Sequence, residues 1–97
     1  MSNYSIGVRY ERLCMRELER LGYLSLRQAG SHSPFDVIGF LTKEGTEQPL
    51  IRAIQVKAGG SPTKKARAEL RKLFLPAVIQ KEIWHYPKRK PVEIIVI

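Results

Sequence analysis

The hydrophobic positions at the start of the chain recur with the period of an α-helix. Several apolar residues between positions 4 and 21 fall on one side of a helical wheel, at about 100° per residue. They are Ile6, Tyr10, Leu13, Cys14, Leu18 and Leu21. Gly22 follows the last of them, as expected where a helix ends. The pattern predicts an amphipathic helix over residues 4–21.

Five later segments have the alternating or β-rich apolar pattern of strands. They cover residues 23–29, 35–41, 50–57, 81–86 and 92–97. In the first segment, Leu24 and Leu26 alternate with Ser25 and Arg27. The Gly45-containing stretch 43–49 is typical of a turn, so the second and third strands are expected to form a hairpin.

A second helix is expected after Thr63, whose side chain is suited to cap it. Its predicted buried face consists of small and apolar residues, namely Ala66, Leu70, Leu73, Phe74 and Ala77. Pro76 must end, kink or restart this helix because proline lacks an amide donor. The resulting order is helix, three strands, helix, two strands. It predicts an α/β fold over residues 1–97, a single domain with helices flanking a mixed central β-sheet.

Composition narrows the classes of function. The chain has 97 residues, 43% of them apolar, which suits one domain and is too short for two. Lys and Arg number 17 against 9 Asp and Glu, so the net charge is +8 and the pI is near 10.0. This charge favours a polyanionic partner, nucleic acid before an anionic membrane, although a basic protein with neither partner remains an alternative.

Other classes of protein are disfavoured by what the sequence lacks. Cys14 is the single cysteine, so no internal disulfide can form, and no cluster has zinc-ligand spacing. The sequence has no signal-peptide pattern, and no apolar run approaches the roughly 20 residues of a membrane span. We therefore expect a cytoplasmic protein without a membrane partner, or one in the host cytoplasm if the source is viral.

Candidate chemistry comes from two neighbouring strands. Asp36 opens an apolar strand, where burying a carboxylate is costly unless it is paired or binds a metal. On the next strand, alternation puts Gln55 and Lys57 on one face and Ile54 and Val56 on the other. If the two strands pair, Asp36, Gln55 and Lys57 can point to one place.

Glu11 lies at the border of the buried face of the first helix, from which it can reach a site at the helix–sheet junction. Mg²⁺ prefers oxygen ligands. The expected ligands are Asp36, the side-chain oxygen of Gln55 and the backbone carbonyl of Val56, with Glu11 binding directly or through water. Mn²⁺ is expected to substitute. The ion would polarise a phosphate and activate a water, while Lys57 orients that water or stabilises developing charge.

These pieces resemble the PD-(D/E)XK nuclease superfamily. The sequence contains a helical Glu11, the run Arg27-Gln28-Ala29-Gly30-Ser31, then Asp36, Gln55-x-Lys57 and a basic helix. Over about residues 7–75 this layout is similar to the archaeal-type Holliday junction resolvases. The resemblance implies a restriction-endonuclease-like fold and a role in DNA recombination and repair. It also implies a homodimer that binds four-way DNA junctions and nicks two opposed strands with Mg²⁺.

The resemblance also implies roles for individual residues. It assigns catalysis to Glu11, Ser31, Asp36 and Lys57, with Gln55 at the position of the usual acid. It assigns DNA contact to Arg27 and to Ser31, and it matches Arg9 or Arg12 to a basic residue near the helical glutamate. The basic second helix, including Lys64 and Lys65, is expected to bind phosphates without reading base sequence.

One departure keeps alternatives open. The resolvases usually have glutamate where this chain has Gln55, and glutamine keeps the oxygen ligand but loses a full negative charge. Another PD-(D/E)XK nuclease, of a restriction-like, nicking or repair type, is therefore an alternative, as is a DNA-binding relative without catalysis. Glu11 can also be read as a surface glutamate paired with a nearby arginine. His32 and His85 are expected to be structural, and Trp84 and Tyr86 to be core or dimer contacts.

Overall fold

The computed structural model of the protein describes residues 3–28, 33–60 and 62–97. The elements are α1 (Asn3–Arg20), β1 (Tyr23–Arg27), β2 (Val37–Leu41), β3 (Ile51–Ala58), α2 (Lys64–Lys72), β4 (Ile79–Tyr86) and β5 (Glu93–Val96). The predicted order of helix, three strands, helix and two strands is confirmed. Within this part of the chain, no helix is long and apolar enough to cross a membrane.

The strands form one five-stranded sheet in the order β1-β2-β3-β4-β5. The predicted β2–β3 hairpin is present, with Val37 opposite Ile54. The pairing of β3 with β4 is parallel and α2 connects these two strands, whereas all other pairs are antiparallel. The sheet is therefore mixed, as expected.

The two helices cover opposite faces of the sheet. Cys14 and Leu18 of α1 pack with Ile54, whereas Ala66 and Leu70 of α2 pack in a second cluster. The neighbouring residue Ala53 belongs to that second cluster. Because successive residues of a strand point to opposite faces, α1 and α2 lie on different sides of β3.

Two glycines determine how α1 ends and how closely it packs against the sheet. Gly22 has a φ of 97°, the left-handed conformation that favours glycine after a helix, and this confirms the predicted helix end. At Gly39 in β2, an added Cβ would lie 3.2 Å from a methyl carbon of Leu18 and 3.3 Å from the ring of Tyr23. A side chain at this position would therefore push α1 away from the sheet.

The buried face of β1 is the reverse of its apolar pattern. Tyr23 and Ser25 are buried towards α1, where the Tyr23 hydroxyl donates to the Pro49 carbonyl at 2.7 Å. Leu24 and Leu26 are 57% and 53% exposed. They point to the other face, where the nine-residue α2 packs against β4 and leaves β1 uncovered. The side on which the long helix α1 packs therefore decides which residues of β1 are buried.

The second helix is shorter than predicted. Thr63 stands at its N-cap, but its side chain makes no capping hydrogen bond. The helix ends at Lys72, and Leu73 is already extended with ψ of 118°. Pro76 disfavours helical geometry in the residue before it, so the chain leaves the helix early. Of the expected buried face, Ala66 and Leu70 are buried, whereas Leu73, Phe74 and Ala77 are exposed.

A buried ion pair joins β3 to β4 beneath α1. Arg52 donates two hydrogen bonds of 2.7 Å to the carboxylate of Glu82, which is completely buried. Gln80 and Trp84 donate to the same carboxylate at 2.8 Å each. The guanidinium also lies 5.3 Å from the ring centroid of Tyr23, within range of a cation–π contact. Sequence patterns did not predict this pair.

Candidate metal and nucleic-acid site

Asp36 lies just before β2, where the regular pairing with β3 breaks. Its N–H donates to the carbonyl of Ile54 at 2.8 Å, although Ile54 is the register partner of Val37. This offset of one residue is the geometry of a β-bulge. The Asp36 carboxylate then accepts a 2.8 Å hydrogen bond from the N–H of Val56. The bulge therefore directs the carboxylate to the backbone of β3.

The bulge also explains the change of face before β2. Phe35 packs in the cluster beneath α2, whereas Val37, two residues later, packs in the cluster beneath α1. Two residues separated by one position would share a face in a regular strand. The extra residue at Asp36 breaks this alternation, as bulges commonly do beside functional sites.

The backbone of Val56 also faces this place. In an extended strand, the N–H and C=O of one residue point to the same side, as they do in paired antiparallel residues. The N–H of Val56 points to Asp36. Its carbonyl therefore faces the same side of β3, as the predicted ligand set requires.

Gln55 and Lys57 lie in β3 on the face opposite to Ile54, as predicted. They share this face with Ala53, which packs beneath α2. Burial raises the pKa of Asp36, and the positive charge of Lys57 opposes that rise, so the two groups are electrostatically close. The polar face of β3 and the carboxylate at the bulge therefore meet at the same end of the sheet.

Glu11 reaches the site from α1 and is paired there. Its carboxylate oxygen Oε1 lies 3.3 Å from Nη1 of Arg27, at the end of β1. The side chains of Arg27 and Glu11 are only 21% and 17% exposed. Glu11 is therefore not a surface glutamate paired with an arginine of its own helix, and Arg27 is held beside the predicted catalytic carboxylates.

Burial is the largest influence on the pKa of both carboxyl groups. Burial raises the pKa of Asp36, and the Val56 hydrogen bond and the charge of Lys57 oppose that rise. Burial also raises the pKa of Glu11, the negative charge of Asp36 raises it further, and Arg27 lowers it. Removing carboxylates from water and placing them near each other disfavours their charged forms. A divalent cation between them would remove this penalty.

The residues present suit a hard cation with oxygen ligands. Asp36 uses one oxygen for the Val56 hydrogen bond, and a carboxylate has further lone pairs with which to bind a cation. Within residues 3–28, 33–60 and 62–97, no group of three or more His, Cys, Asp or Glu side chains is arranged as a metal site. Asp36 and Glu11 are the two carboxylates of the candidate site, and the predicted ligand set adds the neutral oxygens of Gln55 and Val56.

The other predicted contact residues are spread more widely. Arg9 and Arg12 are exposed on α1, whereas Lys64 and Lys65 are exposed on the first turn of α2, on the other side of the sheet. These positive charges are therefore exposed on the helices of both faces of the sheet. Ser31 and His32, for which catalytic or structural roles were expected, lie outside the described residues.

Three residues for which structural roles were expected make structural contacts. Trp84 is fully buried in the core beneath α1. Tyr86 packs on Tyr10 with ring centroids 5.1 Å apart. His85 Nε2 lies 2.7 Å from the carbonyl of Gly59, and this contact holds the start of the β3–α2 connection against β4.

Comparison with known proteins identifies the fold. No protein-family model matches the sequence, and no curated protein matches it either. Among solved structures, the chain is similar to Hjc, a Holliday junction resolvase from the archaeal hyperthermophile Archaeoglobus fulgidus. The TM-score is 0.60 at 19% identity, and the match covers 93% of this chain and 71% of that one. The chain therefore has the α/β fold of that nuclease, which confirms the predicted fold class.

Proposed function

We propose that this chain is a Mg²⁺-dependent endonuclease of the PD-(D/E)XK type that cuts four-way DNA junctions. The observation that carries the proposal is the meeting of Asp36, the Gln55-x-Lys57 strand and the helical Glu11 at one end of the sheet. The fold shared with an archaeal Holliday junction resolvase and the net charge of +8 support it.

Each side chain has a role in this proposal. Asp36, Gln55, the Val56 carbonyl and Glu11 would hold the cation, and Mn²⁺ would substitute for Mg²⁺. When bound, the ion supplies the Lewis acidity that phosphodiester hydrolysis requires. Lys57 donates to the attacking water or to the phosphate as negative charge develops. Arg27 binds a phosphate through its planar guanidinium. The catalytic role that the resemblance implies for Ser31, which lies outside the described residues, is part of the same proposal.

The positive charges on the two helices would extend the interface with DNA. Lys64 and Lys65 on α2 and Arg9 and Arg12 on α1 are suited to phosphates of separate duplex arms. Contacts of this kind follow backbone shape and do not read bases. A branched junction is therefore a better substrate than a particular base sequence.

A homodimer follows from the reaction. Resolving a four-way junction needs cuts in two opposed strands, and the described part of the chain contains one candidate site. Two copies related by a twofold axis would place one site at each strand. We therefore propose that the active form is a homodimer that makes paired nicks.

The proposal is tested by cleavage of a labelled four-way junction in Mg²⁺, with Asp36→Asn as the test variant. Asparagine keeps an oxygen that can accept the Val56 hydrogen bond, so the fold should persist, but the charge needed to hold the cation is lost. We expect cleavage to fall by about 100-fold or more, as when a group that stabilises transition-state charge is removed. Glu44→Gln, which removes a charge from the exposed turn before β3, should cleave normally.

Substrate choice is tested in the same assay with flap and linear duplex DNA. Equal cleavage of all three substrates would identify another nuclease of the superfamily and overturn junction selectivity. No cleavage with Mg²⁺ or Mn²⁺, or cleavage unaffected by Asp36→Asn, would overturn the nuclease proposal itself.

A DNA-binding protein without catalysis is the second candidate, and Gln55 favours it. The described site has two carboxylates where the superfamily usually supplies a further acid in β3, so its affinity for a cation is reduced. This candidate requires tight junction binding with no turnover in any metal. It also requires that Asp36→Asn leaves junction affinity unchanged, because the carboxylate would then have no cation to hold near DNA.

A further inference from the structure

We propose that Arg27 is a counter-ion for Glu11 that DNA displaces, so that junction binding prepares the site for the metal. This inference rests on the proposed function, because it assigns two residues of that site a shared regulatory role. It concerns the order in which the site is loaded and is independent of whether the bound phosphodiester is cut.

The ion pair stands between two elements that are fixed separately. Glu11 belongs to α1, whose buried residues pack in the core. Arg27 is the last residue of β1, opposite Val37, and the N–H of the next residue, Gln28, donates to the Asp36 carbonyl at 2.9 Å. The backbone at Arg27 is therefore anchored to the segment that carries Asp36, and the guanidinium meets Glu11 of the helix.

Arg27 is paired with the Glu11 carboxylate, which a metal ion would also bind. Oε1 of Glu11 lies 3.3 Å from Nη1 of Arg27, and both side chains are largely shielded from water. Two cations cannot both lie close to one carboxylate without repelling each other. In the absence of DNA, the guanidinium therefore competes with the divalent ion for Glu11.

A DNA phosphate can take the place of Glu11 as the partner of Arg27. A guanidinium binds carboxylate and phosphate with the same planar fork of donors. A phosphate at the proposed site lies next to the end of β1, so Arg27 can transfer from Glu11 to DNA by a side-chain movement alone. Glu11 is then left near Asp36 with no counter-charge, which strengthens its attraction for the cation.

Because the Glu11–Arg27 pairing and DNA binding are thermodynamically linked, the exchange can be measured from DNA affinity alone, without cleavage. If DNA binding releases Glu11 from Arg27, then removing Glu11 must also release Arg27 for DNA. Junction affinity is therefore measured in a chelator for wild type, Glu11→Gln, Arg27→Gln and the double variant. We expect Glu11→Gln to tighten binding by about two- to fivefold, the range of a modest ion pair. In the Arg27→Gln background this gain should largely disappear.

A matched ion pair controls for changes of charge alone. Glu17 and Arg20 pair three residues apart on the exposed side of α1. The same four-variant cycle on this pair should be additive. Additive effects of Glu11→Gln and Arg27→Gln would overturn the proposal, because they would show that the two side chains act on DNA independently.

Calorimetry with Ca²⁺ and no DNA tests whether Arg27 competes with a divalent cation for Glu11. Arg27→Gln should bind Ca²⁺ several-fold more tightly than wild type, whereas Arg16→Gln, which removes a charge from the exposed side of α1, should change affinity little. Equal gains in both variants would reduce the effect to general electrostatics and overturn the proposal. So would a failure of wild type and Arg27→Gln to bind Ca²⁺ or junction.

Circular dichroism checks that each variant folds. Arg27→Lys is a second variant that keeps the charge but replaces the fork by a point charge, and it should show a smaller coupling to Glu11 than wild type. If the protein cuts junctions but the effects of the variants are additive, this inference is overturned and the proposed function stands. If the variants show the coupling but the protein never cuts, the inference stands and the nuclease proposal is overturned.

Discussion

At the residue scale, one hydrogen bond from the backbone of β3 determines where the Asp36 carboxylate lies. A carboxylate in a regular strand would point to one face and leave the Val56 N–H to the neighbouring strand. At the bulge, the Asp36 side chain itself accepts that N–H at 2.8 Å. The acid is thereby held in a single position at the end of the sheet while it keeps lone pairs for a cation.

Gln55 gives a prediction of gained function. Gln55→Glu adds a negative charge to the face of β3 that carries Lys57, where the proposed cation binds. We expect tighter Mn²⁺ binding by calorimetry and faster junction cleavage at low metal concentration, because a carboxylate attracts a divalent ion more strongly than an amide. Thr46→Glu adds the same charge in an exposed turn and should leave Mn²⁺ affinity unchanged. Weaker binding by Gln55→Glu would mean that this side chain does not face the ion.

The raised pKa values of Glu11 and Asp36 predict how the stability of the metal-free protein changes with pH. Because the folded state holds these protons more tightly than the ordinary values of 4.5 and 3.8 imply, their contribution to stability is present in acid. It is lost as the pH rises through the folded-state values. In a chelator, the free energy of unfolding by urea should therefore fall more steeply from about pH 4 to pH 7 in wild type than in a Glu11→Gln, Asp36→Asn double variant. Identical slopes would contradict the assignment of these two groups.

At the scale of elements, the parallel β3–β4 pair is joined by side chains as well as by its backbone. Arg52 and Glu82 lie two register positions apart on the paired strands, and four donor atoms converge on the buried Glu82 carboxylate. This strand pair carries Gln55 and Lys57 at its other end. The ion pair therefore lies within the part of the sheet that positions the site.

Breaking this ion pair from one side should cost more than replacing it. Arg52→Met leaves the completely buried Glu82 without its counter-ion, so we expect a loss of about 3–5 kcal/mol in the free energy of unfolding. Arg52→Met combined with Glu82→Leu removes the unpaired charge and should recover much of that loss. Arg20→Ala, at an exposed pair, should leave the free energy of unfolding nearly unchanged. A double variant as unstable as the single one would show that Glu82 acts chiefly through Gln80 and Trp84.

At the scale of the whole molecule, the two faces of the sheet are covered unequally. The long helix α1 covers one face, whereas α2 packs against β4 at one side of the other face. Leu24, Leu26 and Phe40 are exposed beside each other on the uncovered part, since Leu24 is opposite Phe40 and Leu26 is opposite Ile38. None of these residues is charged. On a protein of net charge +8, two copies can meet there without bringing charged side chains together.

This uncovered face gives a prediction about assembly. We expect Leu24→Lys and Leu26→Lys to weaken the proposed homodimer, because they would place like charges opposite each other at a twofold interface. Sedimentation should show a shift towards monomer, and paired cuts in a junction should become independent single nicks. Val96→Lys, at an equally exposed apolar residue on the opposite edge strand, is the control and should leave assembly unchanged. Dimers that persist in both leucine variants would move the interface elsewhere.

The sequence by itself determined the order of the elements and the identity of the candidate acids. The periodicity of residues 4–21, the alternation around Gln55 and Lys57, and Gly22 as a helix end are properties of neighbouring residues, and local backbone geometry converts them directly into structure. The restriction-endonuclease-like fold was predicted from this order together with the resemblance. The roles of Glu11, Asp36, Gln55, Lys57 and Ser31 remain predictions.

Only the tertiary structure decided which side of β1 is buried, where Asp36 points and what neutralises Glu11. Each of these depends on residues distant in the chain. The helix α1 covers Tyr23 and Ser25 and leaves the leucines of β1 exposed. Val56 donates to Asp36 at the bulge, and Arg27 pairs with Glu11 across 16 positions of the sequence. Arg52 and Glu82 likewise pair across 30 positions. Such contacts have no local pattern, because burial and charge pairing are resolved only when whole elements pack together.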